Sequence, residues 1–223
     1  MASFKISIIG LGYVGLVSAA CFAAKGFKVI GFDIDESKVE AINQGLSPIY
    51  EPGLDELIKR VVKEGGLTVT TDPIKAIIDT DMTFITVGTP SKEDGCINLT
   101  YIKEASKVIG EVLRRKDEWH LVIVKSTVIP TTTENVIKPI IEKVSGKQCP
   151  SEFGICVNPE FLREGHAVDD TFMADRIVIG EIDVRSGDVL ETFYREFYGN
   201  NTPKILRTTP VNAELIKYAN NAF

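Results

Sequence analysis

Lys5-Ile6-Ser7-Ile8-Ile9-Gly10-Leu11-Gly12-Tyr13-Val14-Gly15 is followed by a small-residue stretch to Lys25 and then by Lys28-Val29-Ile30-Gly31-Phe32-Asp33. The first apolar run has the residues of a strand buried on both faces. The glycines form a turn, the stretch from Tyr13 has helical composition, and the second strand ends on an acid. A lone G-x-G-x-x-G is weak evidence, but between a strand and a helix, with an acid 18 residues beyond Gly15, it is the dinucleotide fingerprint. Gly10 allows the tight turn, Gly12 lets the backbone approach a pyrophosphate, and Gly15 allows close packing of helix on strand. Helix N-terminal amides then face the phosphates. Asp33 accepts from ribose hydroxyls and repels a 2′-phosphate, which favours NAD over NADP.

Outward from this unit, short β-rich runs alternate with amphipathic stretches. The pattern predicts strands at 5–9, 28–32, 67–70, 82–86, 121–125, 152–157, 176–179 and 204–207. It predicts helices near 13–25, 37–43, 54–64, 101–115, 133–144 and 184–198. Such alternation specifies an α/β fold, a doubly wound, mainly parallel sheet of Rossmann type. Ligands of such sheets bind beyond the C-terminal strand ends, which singles out the loops Gly88–Asn98 and Asn158–Asp170.

With 223 residues, 44% hydrophobic and 25% charged, the chain has the composition of a folded domain. Its net charge of −6 offers no broad basic footprint for nucleic acid or an anionic membrane. Cys21, Cys96, Cys149 and Cys156 show no zinc-ligand spacing, so no metal site is expected and the thiols read as reduced, in a cytoplasmic protein. The uncharged stretch between Lys5 and Lys25 imitates a signal peptide, but Gly10, Gly12 and Gly15 and the strand that follows argue against that. Thr209-Pro210 starts a last helix, whose apolar pattern reaches Phe223 with no glycine cap. The division expected is a nucleotide-binding domain over 1–208 and, over 209–223, the start of a helix that continues into a partner half. A helix seated in a groove of its own domain is the alternative.

Three further groups carry possible chemistry. Thr89 and Thr127 follow apolar strands and face the crevice, or serve only as turn residues. Glu160-Phe161-Leu162-Arg163-Glu164 places two carboxylates on one face if helical, as a site loop or as a solvated charge cluster. Lys217 and Asn221, four residues apart on the last helix, converge on one substrate oxygen or form a surface pair.

Together these segments resemble the N-terminal half of the nucleotide-sugar dehydrogenases, the UDP-glucose/GDP-mannose dehydrogenase family, on its UDP-glucose branch. The matching motifs are Tyr13-Val14-Gly15-Leu16, Tyr50-Glu51-Pro52-Gly53-Leu54, Val87-Gly88-Thr89-Pro90, Lys125-Ser126-Thr127-Val128, Asn158 to Gly165, Asp175 to Gly180, and Ala213 to Phe223. The resemblance implies oxidation of the C6 alcohol of a UDP-sugar, UDP-glucose above all, to a carboxylate with two NAD molecules in turn. It implies that Gly10, Gly12, Tyr13, Val14, Gly15, Asp33, Lys38, Thr89, Thr127 and Glu164 contact the cofactor. Phe161, Leu162, Arg163 and Glu164 would touch substrate, Glu160 and Thr127 would activate and position water, and Lys217 with Asn221 would stabilise the C6 oxyanion. It also implies a homodimer for the full-length protein, built on the central helix.

The sequence departs from the family pattern at Thr131, where glycine is usual, at Asn98, where Asp is common, and at Ala174, where Pro often stands. The family's nucleophilic cysteine lies beyond the last helix, and none of the four cysteines here occupies a matching motif. Two other readings stay open on sequence grounds: a β-hydroxyacid dehydrogenase using a Lys-x-x-x-Asn pair, and a free-standing NAD-binding module.

Overall fold

The structure, a computed structural model, describes residues 3–93 and 95–222. Eight strands form one sheet: β1 (Lys5–Ile9), β2 (Lys28–Phe32), β3 (Leu67–Thr70), β4 (Met82–Ile85), β5 (His120–Val124), β6 (Phe153–Val157), β7 (Arg176–Glu181) and β8 (Lys204–Thr208), in the order β3-β2-β1-β4-β5-β6-β7-β8. All neighbours are parallel except β6 and β7, which pair antiparallel through Cys156–Glu181 and Val157–Gly180. The doubly wound expectation therefore holds, and each predicted strand is present to within two residues.

Side chains alternate between two cores, as a two-faced sheet requires. Ile8, Phe84, Leu121, Ile123 and Ile179 point to one face, where α1 (Tyr13–Ala24), α2 (Glu36–Asn43), α3 (Leu54–Lys63) and α8 (Val184–Tyr198) cover them. Ile9, Ile85, Val122, Val124 and Val178 point to the other, under α5 (Thr100–Leu113) and α6 (Lys138–Ser145). Phe193 of α8 centres the first core, edge-on to Phe22 with ring centroids 5.0 Å apart.

Two short helices lacked a strong sequence signal. One, α4 (Pro73–Ile77), is capped by Asp72 accepting from the amides of Ile74 and Lys75. The other, α7 (Ala167–Phe172), has no side-chain cap and too few turns to show a period. The helix expected over 133–144 begins instead with a π-helical turn, Thr133–Ile137, before α6. The last helix, α9 (Pro210–Ala222), starts as expected, with the Thr209 hydroxyl accepting from the Asn212 amide. It buries Pro210, Ala213, Glu214 and Lys217 against the sheet, while Leu215, Ala219 and Ala222 are exposed. The expectation for Phe223 lies outside the described residues. No helix among the described residues is long and apolar enough to cross a membrane.

Two features of this scaffold have measurable consequences. Thr131 adopts φ +77°, the left-handed region, where a side chain costs about 1–2 kcal/mol. This explains why glycine is usual there. Thr131→Gly removes that strain but adds about 0.5–1 kcal/mol of unfolded-state entropy. A net stabilisation of up to about 1 kcal/mol is expected in urea unfolding.

His120 is wholly buried, with Nδ1 3.0 Å from the Thr80 carbonyl and Nε2 2.8 Å from the Thr83 hydroxyl. A carbonyl only accepts, so Nδ1 carries the proton and Nε2 accepts from Thr83. Burial, assisted by nearby Lys116, brings its pKa down from 6.5 to about 3. Between those values the unfolded chain binds a proton that the folded chain refuses, so His120 lowers stability as pH falls, by at most about 1.4 kcal/mol per pH unit. Urea midpoints across this window should decline less steeply in His120→Gln.

Candidate functional site

The site is a ring of contacts around the C-terminal edge of β1, β4, β5 and β6. It begins at the fingerprint turn. Gly10 lies at φ +93°, and its amide donates to the Phe32 carbonyl at 2.8 Å. A Cβ on Gly15 would stand 2.0 Å from the Gly10 carbonyl oxygen, so only glycine lets α1 seat on the turn. A Cβ on Gly12 would meet nothing within 4 Å. That backbone is open toward the crevice, leaving the room a pyrophosphate needs, and Tyr13 and Val14 follow at the start of α1. The turn therefore fits NAD.

Asp33, 7% exposed at the end of β2, has its Oδ2 held by the Leu11 amide at 2.8 Å and the Lys38 ammonium at 2.9 Å. Its Oδ1 accepts from the Asp35 amide at 3.1 Å. The fold thus brings Asp33 and Lys38 together beside the turn, as the sequence suggested.

Across the crevice, the strand ends are laced to one another. Thr86 donates to the Gly10 carbonyl at 2.7 Å, Ser126 to the Val87 carbonyl at 2.7 Å, and Thr89 to the Thr127 carbonyl at 2.7 Å. Thr89, Thr127 and Tyr218 line one recess with Ile129. The chain after Thr127 is anchored in turn to α9. Glu214, 2% exposed, accepts from the Thr131 amide (2.6 Å), the Thr133 amide (2.9 Å) and the Thr133 hydroxyl (2.6 Å). Burial raises its pKa, and the bonds from Thr133 and Thr131 only partly offset this.

One turn further along α9, Lys217 is buried and its ammonium meets Glu160 Oε1 at 2.6 Å. Glu160 Oε2 accepts from the Leu162 amide at 2.8 Å. The helix considered for Glu160–Glu164 does not form: residues 158–163 run as irregular chain, so the two carboxylates share no helical face and Glu164 is exposed. Pro159 keeps Asn158 out of helical geometry, and the Glu160 carboxylate is engaged instead by Lys217 and the Leu162 amide. The Phe161 ring lies 4.3 Å from the Arg176 guanidinium and 5.8 Å from the Lys217 ammonium. The Arg163 guanidinium is turned onto Asp170, at 2.6 Å. Asn221 is exposed at the end of α9, and its neighbour Asn220 accepts from Arg176 at 2.7 Å.

Glu51 closes the ring. It is 4% exposed and accepts from the Tyr13 hydroxyl (2.5 Å) and the amides of Gly165 (2.9 Å) and Ala167 (2.7 Å). Burial opposes its ionisation, yet these bonds and one from the Val168 amide outweigh it, leaving the carboxyl below its ordinary pKa. It thereby fixes the loop bearing Glu160 against the fingerprint helix.

Sequence reading gave no role to Glu51, Glu214, Lys125, Asn158 or Tyr194. Lys125 and Asn158 line a cavity of about 480 Å³ with Glu160, Phe161, Leu162 and Arg163. Both stood in quoted motifs, but their burial together is set by strands far apart in sequence. Cys21 and Cys156 are wholly buried and Cys149 partly so, and burial pushes all three thiols up. That makes them poor nucleophiles.

Comparison with known proteins gives this geometry a family. The model of the UDP-glucose/GDP-mannose dehydrogenase family, NAD binding domain, matches residues 4–198. GDP-mannose 6-dehydrogenase of Pseudomonas aeruginosa is 48% identical over 98% of this chain and 49% of its own length. UDP-glucose 6-dehydrogenase AglM of Haloferax volcanii is 49% identical over 98% of this chain and 51% of its own. A crystal structure of a ternary complex of the P. aeruginosa GDP-mannose dehydrogenase superposes with TM-score 0.94, covering 98% of this chain and 49% of that one. The chain thus spans about half the length of these relatives, and its near-equal identities to GDP-mannose and UDP-glucose enzymes give the UDP-glucose branch no preference. By its fingerprint turn, its sheet and these matches, the chain belongs to the UDP-glucose/GDP-mannose dehydrogenase family, whose NAD-binding domain it carries.

Proposed function

We propose that this chain forms the NAD-holding half of a site that oxidises C6 of a nucleoside-diphosphate hexose to a carboxylate. The observation that carries the reading is the buried Lys217–Glu160 pair, its Glu160 just beyond the C-terminal end of β6 in the sheet whose β1 end carries the fingerprint turn. NAD supplies the hydride acceptor. The turn Gly10–Gly15, with Tyr13 and Val14, takes the pyrophosphate on its open backbone. Asp33 and Lys38 take the adenosine ribose, and Ile34, 80% exposed, offers the base an apolar face. Thr89, Thr127 and Glu164 border the other half of the cofactor.

On the sugar side, Phe161, Leu162 and Arg163 form the wall. The Lys217 ammonium, with the Asn221 amide, stabilises negative charge that develops on the C6 oxygen as its proton leaves. Glu160, held as a carboxylate acceptor by Lys217 and the Leu162 amide, orients the water of the final hydrolysis with Thr127. Covalent capture of the aldehyde calls for a reactive thiol, and burial disqualifies Cys21, Cys149 and Cys156. The residues over 209–223 are, in this reading, the start of a helix joining the two halves of a longer protein, which dimerises on it.

Calorimetric titration tests the cofactor end. NAD should bind in preference to NADP, and Asp33→Ala should weaken NAD binding by about 1–3 kcal/mol, the scale for bonds to a charged acceptor. Equal affinity for the two dinucleotides refutes the assignment.

Turnover tests the sugar end. Neither UDP-glucose nor GDP-mannose should yield a uronate with this chain alone. A C-terminal half from a relative should restore NADH formation with one of them, read by absorbance. Complete oxidation by the isolated chain after replacement of all four cysteines overturns the thiol argument.

A further inference from the structure

Lys125 is a buried ammonium that the proposed chemistry leaves without a task. It is 8% exposed at the end of β5, on the inner wall of the 480 Å³ cavity that also holds Glu160, Phe161 and Arg163. Among the described residues it makes one hydrogen bond, to Asn158 Oδ1 at 3.0 Å. That oxygen also accepts from the Tyr194 hydroxyl at 2.5 Å, while the Asn158 amide nitrogen donates to the Val178 carbonyl at 2.9 Å. Asn158 Oδ1 is therefore saturated, and an ammonium has three donors. Two of them have no protein acceptor.

The other charged groups around the cavity are matched. Glu160 is paired with Lys217, Asp170 with Arg163, and Asp175 with Arg176. From α1 the wall receives only Ser18 and Phe22, and from α8 only Tyr194 and Tyr198, whose hydroxyls burial keeps protonated. Among the described residues, Lys125 is the one cation on this wall with no carboxylate in contact. A buried charge left so is costly unless a ligand completes it.

We infer that Lys125 is the floor of an anion subsite for the carboxylate of a sugar acid. The inference rests on reading this cavity as the sugar end of the site, and it assigns that end a ligand: the oxidised sugar, held by a cation separate from the Lys217–Glu160 pair. The cavity volume falls within the range of small-molecule sites. Burial brings the Lys125 pKa down to about 8, with Glu160 opposing and Lys217 reinforcing the shift. Above that pH the amine is neutral and its attraction for a carboxylate is lost.

The test is a nuclear magnetic resonance titration of the isotope-labelled chain, observing the Lys125 side-chain nitrogen. Free D-glucuronate should shift this signal, acetate should shift it less, and D-glucose should leave it in place. Glucuronate affinity should fall as pH rises through the Lys125 pKa, and Lys125→Arg should abolish that fall. Lys125→Met should weaken glucuronate binding roughly tenfold or more, the worth of one charge-assisted hydrogen bond. A Lys125 signal unmoved by glucuronate, or moved equally by glucose or acetate, overturns the inference even if the Met variant does not fold. Because the titration contains no cofactor, failure of NAD binding strikes the cofactor reading, whereas failure here strikes the subsite.

Discussion

A missing side-chain carbon at residue 15 is the constraint from which the rest of the site follows. Helix α1 lies so close to the turn that a Cβ there would sit 2.0 Å from the Gly10 carbonyl oxygen and 2.7 Å from the Thr86 hydroxyl. Because both contacts are open to glycine, Thr86 can bond Gly10 and bring the end of β4 against the end of β1. On the same turn the backbone at Gly12 is left exposed, with nothing within 4 Å of a would-be Cβ. Phosphate room and strand packing are consequences of one close approach.

Two buried carboxylates extend that local geometry across the molecule. Glu51 joins the fingerprint helix to the loop after β6, and Glu214 joins the last helix to the chain after β5. Glu51 collects four donors and Glu214 three, and their ionisation differs. Around Glu51 the hydrogen bonds prevail and lower its pKa, whereas burial prevails at Glu214 and raises it. Acidification therefore reaches Glu214 first. The junction that protonates earlier is the one that positions Lys217 relative to Thr127.

Local pattern made the sheet legible because several strands, β5 above all, are unbroken apolar runs, and a strand's core alternation requires no knowledge of its partners. The fingerprint was equally plain, since Gly10, Gly15 and Asp33 stand at recognisable spacing within one βαβ unit. Residues whose meaning lies in distant partners were not. Glu51 meets Gly165, Glu214 meets Thr131, and Lys125 meets Asn158, each across a separation that no periodicity encodes. The loop at Glu160 was legible only in part: its i, i+4 carboxylates satisfied a helical rule, Asn158-Pro159 argued for a loop, and the chain is irregular there, but the pairing of Glu160 with Lys217 was not encoded locally.

Thr131 shows how such a distant contact can hold a residue that local preference rejects. Its left-handed backbone is costly for a β-branched residue, yet its amide lies 2.6 Å from Glu214. A bond to a charged acceptor contributes about 1.5–3 kcal/mol, comparable to the strain of about 1–2 kcal/mol. Glycine would gain the same bond without the strain. The threonine is therefore tolerated rather than required, and the feature under constraint at this position is the amide that Glu214 grips. That grip ties α9, with Lys217 three residues on, to the loop carrying Thr127, so the sugar end of the site inherits its geometry from a backbone contact.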